Sequence, residues 1–141
     1  MQMNDKKTVT LKNPNPVVGD GGFILVVEDE EMLRDFLQTV LEEDGYKVIL
    51  AADGMEALRR YAEHRDEIDL VLLDMGLPKM SGEAVLAKLI ALNPNVKVIA
   101  VSGTVELEVQ ESVLQNGATD FLGKPYLTEV LLSKAEYAIR G

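Results

Sequence analysis

The sequence predicts an α/β protein in which helices cover both faces of a five-stranded parallel sheet. Five short runs rich in Val, Ile and Leu are mostly continuous in apolar character, which is typical of strands buried on both faces. Stretches with apolar residues at three- and four-residue steps separate these runs and indicate helices. Because parallel strands need crossover connections, and these are right-handed, the alternation implies a doubly wound sheet.

The strands are placed at the apolar runs. In chain order they are predicted at Phe23–Val27, Lys47–Ala51, Leu70–Leu73, Val96–Val101 and Thr119–Leu122.

The helices are placed by their apolar stripes and by boundary signals. Gly45 predicts the end of the first helix, since glycine readily adopts the left-handed conformation found there. Asp53, with Glu56 three residues later, resembles a capping box at the start of the second helix. The stretch from Thr104 to Gln115 has the least regular stripe. The other stripes are formed by Leu33, Phe36, Leu37, Val40 and Leu41, by Leu58, Tyr61 and Ala62, by Val85, Leu86, Leu89 and Ile90, and by Leu127, Val130, Leu131, Ala135, Ala138 and Ile139.

The first 22 residues differ from the rest of the chain. They hold two prolines, three glycines and several asparagines, and they show no helical periodicity. This composition predicts a flexible N-terminal linker or tail over residues 1–22, followed by one domain over residues 23–141.

Composition excludes several classes of protein. The 141 residues fit a single domain, and a hydrophobic fraction of 47% suffices for a core. No apolar run approaches the roughly 20 residues of a membrane helix, and no signal peptide is evident, so we expect a soluble cytoplasmic protein without a membrane partner. The absence of cysteine excludes disulfides and thiol catalysis. A net charge of −10 disfavours direct nucleic-acid binding.

Polar side chains collect where the predicted strands end. Glu28 and Asp29 follow the first strand, Asp74 the third, Ser102 the fourth and Lys124 the fifth. Singly, each has a simple structural explanation, such as a helix cap or a solvated charge. Together they place three carboxylates, a hydroxyl and an ammonium at the carboxyl edge of one sheet, where ligands of such folds bind.

This set of groups suits phosphoryl transfer. Three neighbouring carboxylates repel one another unless protons or a divalent cation compensate, and oxygen ligands at a partly open site suit Mg²⁺. An aspartate can act as a covalent nucleophile toward phosphorus. We therefore expect Asp74 to accept a phosphoryl group whose oxygens are held by Mg²⁺, Lys124 and Ser102.

Four ordered motifs strengthen this interpretation: LVVED at Leu25–Asp29, LLDMGLPKMSG at Leu72–Gly82, AVSG at Ala100–Gly103 and FLGKP at Phe121–Pro125. From about Phe23 to Arg140 the chain resembles the receiver domains of bacterial two-component response regulators. The resemblance implies a flavodoxin-like three-layer sandwich with strand order 2-1-3-4-5. It also implies a signalling module that catalyses only its own phosphorylation and dephosphorylation.

The resemblance assigns a role to each matching residue. Asp29 would bind Mg²⁺ directly, Glu28 would bind it through water, and Asp74 would be both a ligand and the phosphoacceptor. Gly76 would give a backbone carbonyl to the metal. Lys124 would pair with a phosphoryl oxygen and form a cis bond to Pro125. Ser102 and Phe121 would form the switch pair. Glu28 departs from the frequent Asp, and Phe121 lacks the hydroxyl of the frequent Tyr.

The implied partners are a histidine kinase or a histidine phosphotransfer domain. The response surface would comprise the fourth helix, the fifth strand and the fifth helix, with a downstream protein or a second copy of the chain as its partner. A receiver-like binding module that is never phosphorylated remains the alternative. Whether the domain stands alone or belongs to a hybrid sensor kinase is left open.

Other chemistries fit less well. A phosphatase of the haloacid dehalogenase type needs a second aspartate at the position of Gly76. A phosphate-cradling turn must follow the first strand, whereas the N-terminal glycines precede it. A nucleophile elbow around Ser102 needs glycines at the positions of Ala100 and Thr104. The single histidine, His64, is assigned no role.

Overall fold

A computed structural model describes residues 21–104 and 106–141. Over these residues, strands and helices alternate without exception. The elements are β1 (Phe23–Val27), α1 (Glu31–Glu43), β2 (Lys47–Ala51), α2 (Gly54–His64), β3 (Ile68–Asp74), α3 (Gly82–Leu92), β4 (Val98–Ser102), α4 (Leu107–Gln115), β5 (Asp120–Gly123) and α5 (Thr128–Arg140).

The five strands form one parallel sheet in the order β2-β1-β3-β4-β5. This confirms the doubly wound fold class and the strand order 2-1-3-4-5. The direction of winding reverses between β1 and β3, which lie side by side with Val27 opposite Leu73. The carboxyl ends of these two strands therefore border the crevice in which doubly wound sheets bind their ligands.

Each face of the sheet has its own apolar core. Alternate strand residues such as Val26 and Leu72 pack under α1 and α5, whereas Val27 and Leu73 pack under α2, α3 and α4. Successive side chains of a strand point to opposite faces, so a sheet covered on both sides needs apolar residues at every position. This requirement explains the continuous apolar runs of the sequence.

The predicted bounds of β1 and β2 are confirmed, but those of the other strands are wrong by one or two residues. β3 and β4 end one residue later than predicted, and each includes its terminal polar residue, Asp74 or Ser102. These residues remain in the ladder opposite Val101 and Gly123, because backbone pairing does not depend on side-chain polarity. At the other end of β4, the predicted Val96 lies in a turn and its N–H bonds to the Asn93 carbonyl.

The helix boundary signals are confirmed, with one shift. Gly45 has a φ of 99° just after α1, the left-handed conformation predicted for it. Asp53 accepts a hydrogen bond from the Glu56 N–H (2.8 Å), while the Glu56 carboxylate bonds to the N–H of Ala52 rather than of Asp53 (2.7 Å). The fourth helix begins at Leu107 and not at Thr104.

The last helix returns the chain to the edge of the sheet where the strands begin. Lys97, which precedes β4, donates from Nζ to the carbonyl of Ala138 in the last turn of α5 (2.7 Å). The predicted N-terminal linker, residues 1–22, lies outside the described residues except for its last two. Within residues 21–104 and 106–141, no helix combines the length and the apolar character needed to span a membrane.

Candidate functional site

Three carboxylates from two neighbouring strands meet at the carboxyl edge of the sheet. Glu28 and Asp29 directly follow β1, and Asp74 is the last residue of β3. Each offers an oxygen, and these oxygens all lie within 4.8 Å of one another. Glu28 is only 3% exposed and Asp74 only 7%, whereas Asp29 faces solvent. The cluster therefore combines two buried carboxylates with one that is open to water.

Both oxygens of Asp74 are held in place. Oδ1 accepts a hydrogen bond from the N–H of Gly76 (3.0 Å), and Oδ2 accepts one from Nζ of Lys124 (3.3 Å). The same ammonium lies 3.6 Å from Oε1 of Glu28. Lys124 reaches the cluster from the end of β5, where its N–H donates to the Ser102 carbonyl (2.8 Å) and its bond to Pro125 is cis, as predicted.

The electrostatics of the cluster leave it short of positive charge. Burial raises the pKa of Glu28, and the charges of Asp74 and Asp29 add to this effect, although a hydrogen bond from the Glu30 N–H (3.1 Å) and the charge of Lys124 oppose it. Burial lowers the pKa of Lys124, but the Asp74 and Glu28 carboxylates outweigh it, so that this pKa is above its usual value. Lys124 is thus a permanent cation at neutral pH, and it is in contact with two of three carboxylates.

The donor set fits a hard divalent cation. Three carboxylate oxygens are close enough to share one ion, one of the carboxylates faces solvent, and their charge exceeds that of the lysine. Such sites suit Mg²⁺, which takes a few carboxylates and keeps several waters. Gly76 is exposed beside the cluster and contacts it through its N–H.

The two residues predicted to form a switch lie in the last two strands, β4 and β5. Ser102 is buried at the end of β4, and its Oγ accepts a hydrogen bond from the Thr104 N–H (3.1 Å). The hydroxyl does not cap α4, whose N-cap residue is Glu106. Phe121 is buried in β5 opposite Ala100, and its ring packs in the core beneath α2, α3 and α4.

Two further residues of this region had no role predicted from the sequence. Arg34 donates from Nη1 to the carbonyls of Glu28 (2.8 Å) and Asp29 (3.3 Å). Its position was a usable signal, because a cation near a helix N-terminus opposes the helix dipole. Tyr126 lines a pocket together with Glu28 and Asp74, and burial raises the pKa of its phenol. Only its place after Pro125 pointed to it.

Comparisons with known proteins agree with this geometry. The response regulator receiver domain family matches residues 24–136. The chemotaxis protein CheY of Listeria monocytogenes is 30% identical over 118 residues, which are 83% of this chain and 98% of that protein. A receiver domain protein from Clostridium thermocellum superimposes with a TM-score of 0.81 at 32% identity, covering 84% of this chain and 94% of that one.

Other relatives are longer or come from complexes. The chain spans 51% of the transcriptional regulatory protein YkoG of Bacillus subtilis (38% identity over 84% of this chain) and 31% of a cyclic di-GMP phosphodiesterase of Thermotoga maritima (34% identity over 83%). It also resembles a chain of the CheX-CheY-BeF3-Mg²⁺ complex of Borrelia burgdorferi, with a TM-score of 0.79 and 30% identity over 82% of this chain and 87% of that one. The family match, the sheet order and the relatives agree: the chain belongs to the response regulator receiver domains, the signalling modules of two-component systems.

Proposed function

We propose that this receiver domain accepts a phosphoryl group on Asp74 from a phosphohistidine of a histidine kinase or a histidine phosphotransfer domain. The observation that carries the proposal is the contact of Lys124 with Asp74 inside a cluster of three carboxylates. A carboxylate held by an ammonium and a backbone N–H, at the edge where the winding reverses, is oriented to attack an incoming phosphorus atom.

The transfer replaces one bond to phosphorus by another. An Asp74 carboxylate oxygen attacks the phosphorus, and the P–N bond breaks with its electron pair leaving on the imidazole nitrogen of the donor. The product is an acyl phosphate on Asp74 and a free histidine on the partner. The signal ends by hydrolysis: water attacks the phosphorus, the P–O bond to Asp74 breaks, and inorganic phosphate leaves while the carboxylate is restored.

Glu28, Asp29 and Asp74, with the Gly76 carbonyl, are the groups that would hold Mg²⁺. The bound ion would supply positive charge to the phosphoryl oxygens. The carboxylate cluster and its charge excess support this assignment, as does the presence of Mg²⁺ in the Borrelia complex.

Lys124 and Ser102 would contact the phosphoryl group directly. The ammonium of Lys124 already lies at Asp74 Oδ2 and is positioned to pair with a phosphoryl oxygen. The hydroxyl of Ser102 accepts a bond from Thr104, so its own proton is available to donate to a second oxygen. Movement of this hydroxyl would open space for the ring of Phe121 and shift the surface formed by α4, β5 and α5. A downstream protein or a second copy of the chain would bind to this surface.

The test is phosphoryl uptake measured by intact mass. With acetyl phosphate or a phosphorylated phosphotransfer domain and Mg²⁺, we expect a gain of one phosphoryl group, and no gain in Asp74→Asn. Asp66→Asn, which removes an exposed carboxylate beyond α2, is the matched control and is expected to behave as wild type. Absence of uptake from every donor would instead favour a binding module that is never phosphorylated.

A further inference from the structure

Arg34 is bonded to the segment that carries two of the three clustered carboxylates. It is the fourth residue of α1 and is half-buried. Its Nη1 donates to two consecutive main-chain carbonyls, those of Glu28 (2.8 Å) and Asp29 (3.3 Å). The planar guanidinium is a permanent cation whose donors have a fixed geometry, so these two bonds restrain the backbone on which both carboxylates are mounted.

This restraint acts against a specific force. Glu28 and Asp29 lie within 4.8 Å of Asp74 when measured between carboxylate oxygens, and like charges at that distance repel. Asp29 faces solvent, so an outward movement of its backbone would relieve the repulsion. The N-cap residue Glu30 makes no side-chain bond to the helix that follows it, and the bonds from Arg34 tie this segment to α1 instead.

We propose that Arg34 is a positioning residue for the cation site: by binding the carbonyls of Glu28 and Asp29 it keeps their carboxylates gathered against Asp74 before the ion arrives. Residues that orient the ligands of a metal commonly change metal affinity 10- to 100-fold when they are removed. The inference rests on the proposed function in one respect, that this cluster binds Mg²⁺.

Charge and positioning predict opposite effects, which makes the two separable. A positive charge near a cation site repels the ion, so if Arg34 acted only as a charge its removal would tighten Mg²⁺ binding. If Arg34 positions the ligands, its removal weakens binding. Arg34→Lys keeps the charge but replaces the rigidly placed Nη1, which makes both bonds, by a shorter and freely rotating ammonium. Arg34→Met removes both the charge and the donor.

The experiment is calorimetric titration of the full chain with Mg²⁺ for wild type, Arg34→Lys and Arg34→Met. We expect both variants to bind about 10-fold more weakly than wild type. Arg59→Met is the control, because it removes the same charge from an exposed arginine whose ion pairs lie within α2, and its affinity is expected to stay within about 2-fold of wild type.

Several results would overturn the inference. Tighter binding by Arg34→Met with unchanged binding by Arg34→Lys would assign the effect to charge, and unchanged affinity with lower stability in EDTA would reduce Arg34 to a structural role. Should Arg34→Met not fold, Arg34→Lys decides. If wild type itself binds no Mg²⁺, the proposed cation site fails. The positioning role of Arg34 is then tested by the ¹⁵N order parameters of residues 28–30 in the metal-free protein, which must be lower in Arg34→Lys than in wild type.

Discussion

Glu28 is the residue at which folding and cation binding make opposite demands. Its carboxylate is almost fully buried, lies beside Asp29 and Asp74, and is offset by a single contact with Lys124. Burial followed by the neighbouring charges raises the pKa of this carboxyl. The ionised side chain therefore destabilises the metal-free fold while it supplies a ligand.

We expect Glu28→Gln to stabilise the metal-free protein and to weaken Mg²⁺ binding. The amide keeps an oxygen for the Glu30 N–H but removes the buried negative charge, so the free energy of unfolding in EDTA should rise by an amount on the order of 1 kcal/mol. A carboxyl whose pKa is raised by folding binds its proton more tightly in the folded state, so the advantage of the variant should shrink as pH falls from 7.5 to 5. Urea unfolding at both pH values measures this.

The matched control is Glu111→Gln, which neutralises an exposed carboxylate of α4. It is expected to change stability by less than about 0.5 kcal/mol. A loss of stability in Glu28→Gln at pH 7.5 would contradict the prediction.

Tyr46 gives a second pH-dependent prediction, at alkaline pH. Burial, and then the charges of Asp44 and Glu136, raise the pKa of its phenol to about 12 despite the opposing charge of Arg140. The neutral phenol is favoured by folding, so its contribution is complete below pH 10 and is lost as pH rises toward 12. One pKa unit corresponds to about 1.4 kcal/mol, and the loss should approach roughly 2 to 3 kcal/mol.

Tyr46→Phe should remove this part of the alkaline destabilisation. The measurement is the stability difference between the variant and wild type at pH 9 and pH 11.5, which cancels the lysines that titrate in the same range. Tyr137→Phe, at a tyrosine that is 79% exposed, is the control and should leave the alkaline profile unchanged. Equal profiles for wild type and Tyr46→Phe would refute the assignment.

At the scale of the elements, α4 and α1 differ in how firmly they are packed. α4 buries one residue, Val113, whereas the longer α1 buries Leu37 and Leu41. Elements with little buried apolar surface are those that move in switching transitions. α4 also follows β4, at whose end Ser102 lies.

We expect phosphorylation to change the amide signals of residues 102–126 more than those of residues 33–41. The measurement is a pair of ¹H–¹⁵N spectra before and after acetyl phosphate, with Asp74→Asn as the unphosphorylated reference. Changes concentrated in α1 would show that the response takes another route.

The connection from β3 to α3 depends on a close approach at Gly82. A Cβ at this position would lie 2.6 Å from Cα of Met75, which is backbone and cannot yield as a side chain does. Gly82→Ala should therefore lower the free energy of unfolding by about 1 to 3 kcal/mol and displace the segment next to Asp74. Chemical unfolding tests this, with Gly103→Ala as the control, since a Cβ there meets no atom within 4 Å. Equal losses in the two variants would contradict it.

The elements also show what sequence can and cannot predict. Apolar runs located all five strands because burial on both faces leaves few polar positions inside them. Asp69, exposed near the start of β3, is an exception, and it hid the first two residues of that strand. The same criterion made the predicted β3 stop before Asp74 and the predicted β4 stop before Ser102. Both residues belong to the observed strands, because side-chain polarity does not determine where the backbone ladder ends. The observed α4 begins at Leu107, three residues after the predicted Thr104, because the irregular apolar stripe of this helix did not mark where it begins.

At the scale of the whole molecule, topology sufficed to bring the charged residues of the site together, whereas the roles of Gly76 and Phe121 came from the family resemblance. Parallel strands place their carboxyl ends at one edge, so residues as far apart as Glu28, Asp74 and Lys124 could be assigned to one place before any coordinates were known. The position of Arg34 near the start of α1 was a signal, but its partners could not be predicted, because they are main-chain carbonyls of a loop whose path is not encoded in residue types. That Lys124 offsets the negative cluster was predicted, but its contacts with both Asp74 and Glu28 became visible only through distances.

The bond between Lys97 and Ala138 has a practical consequence for the molecule as a component of larger assemblies. It fixes the last turn of α5 beside the start of β4, and β1 also starts at that side, so both ends of the described fold lie at the edge of the sheet opposite Asp74. A tag, a surface anchor or a fused neighbour attached at either exit would leave the acceptor aspartate open to an approaching donor. Immobilised protein should consequently remain as accessible to phosphodonors as protein free in solution.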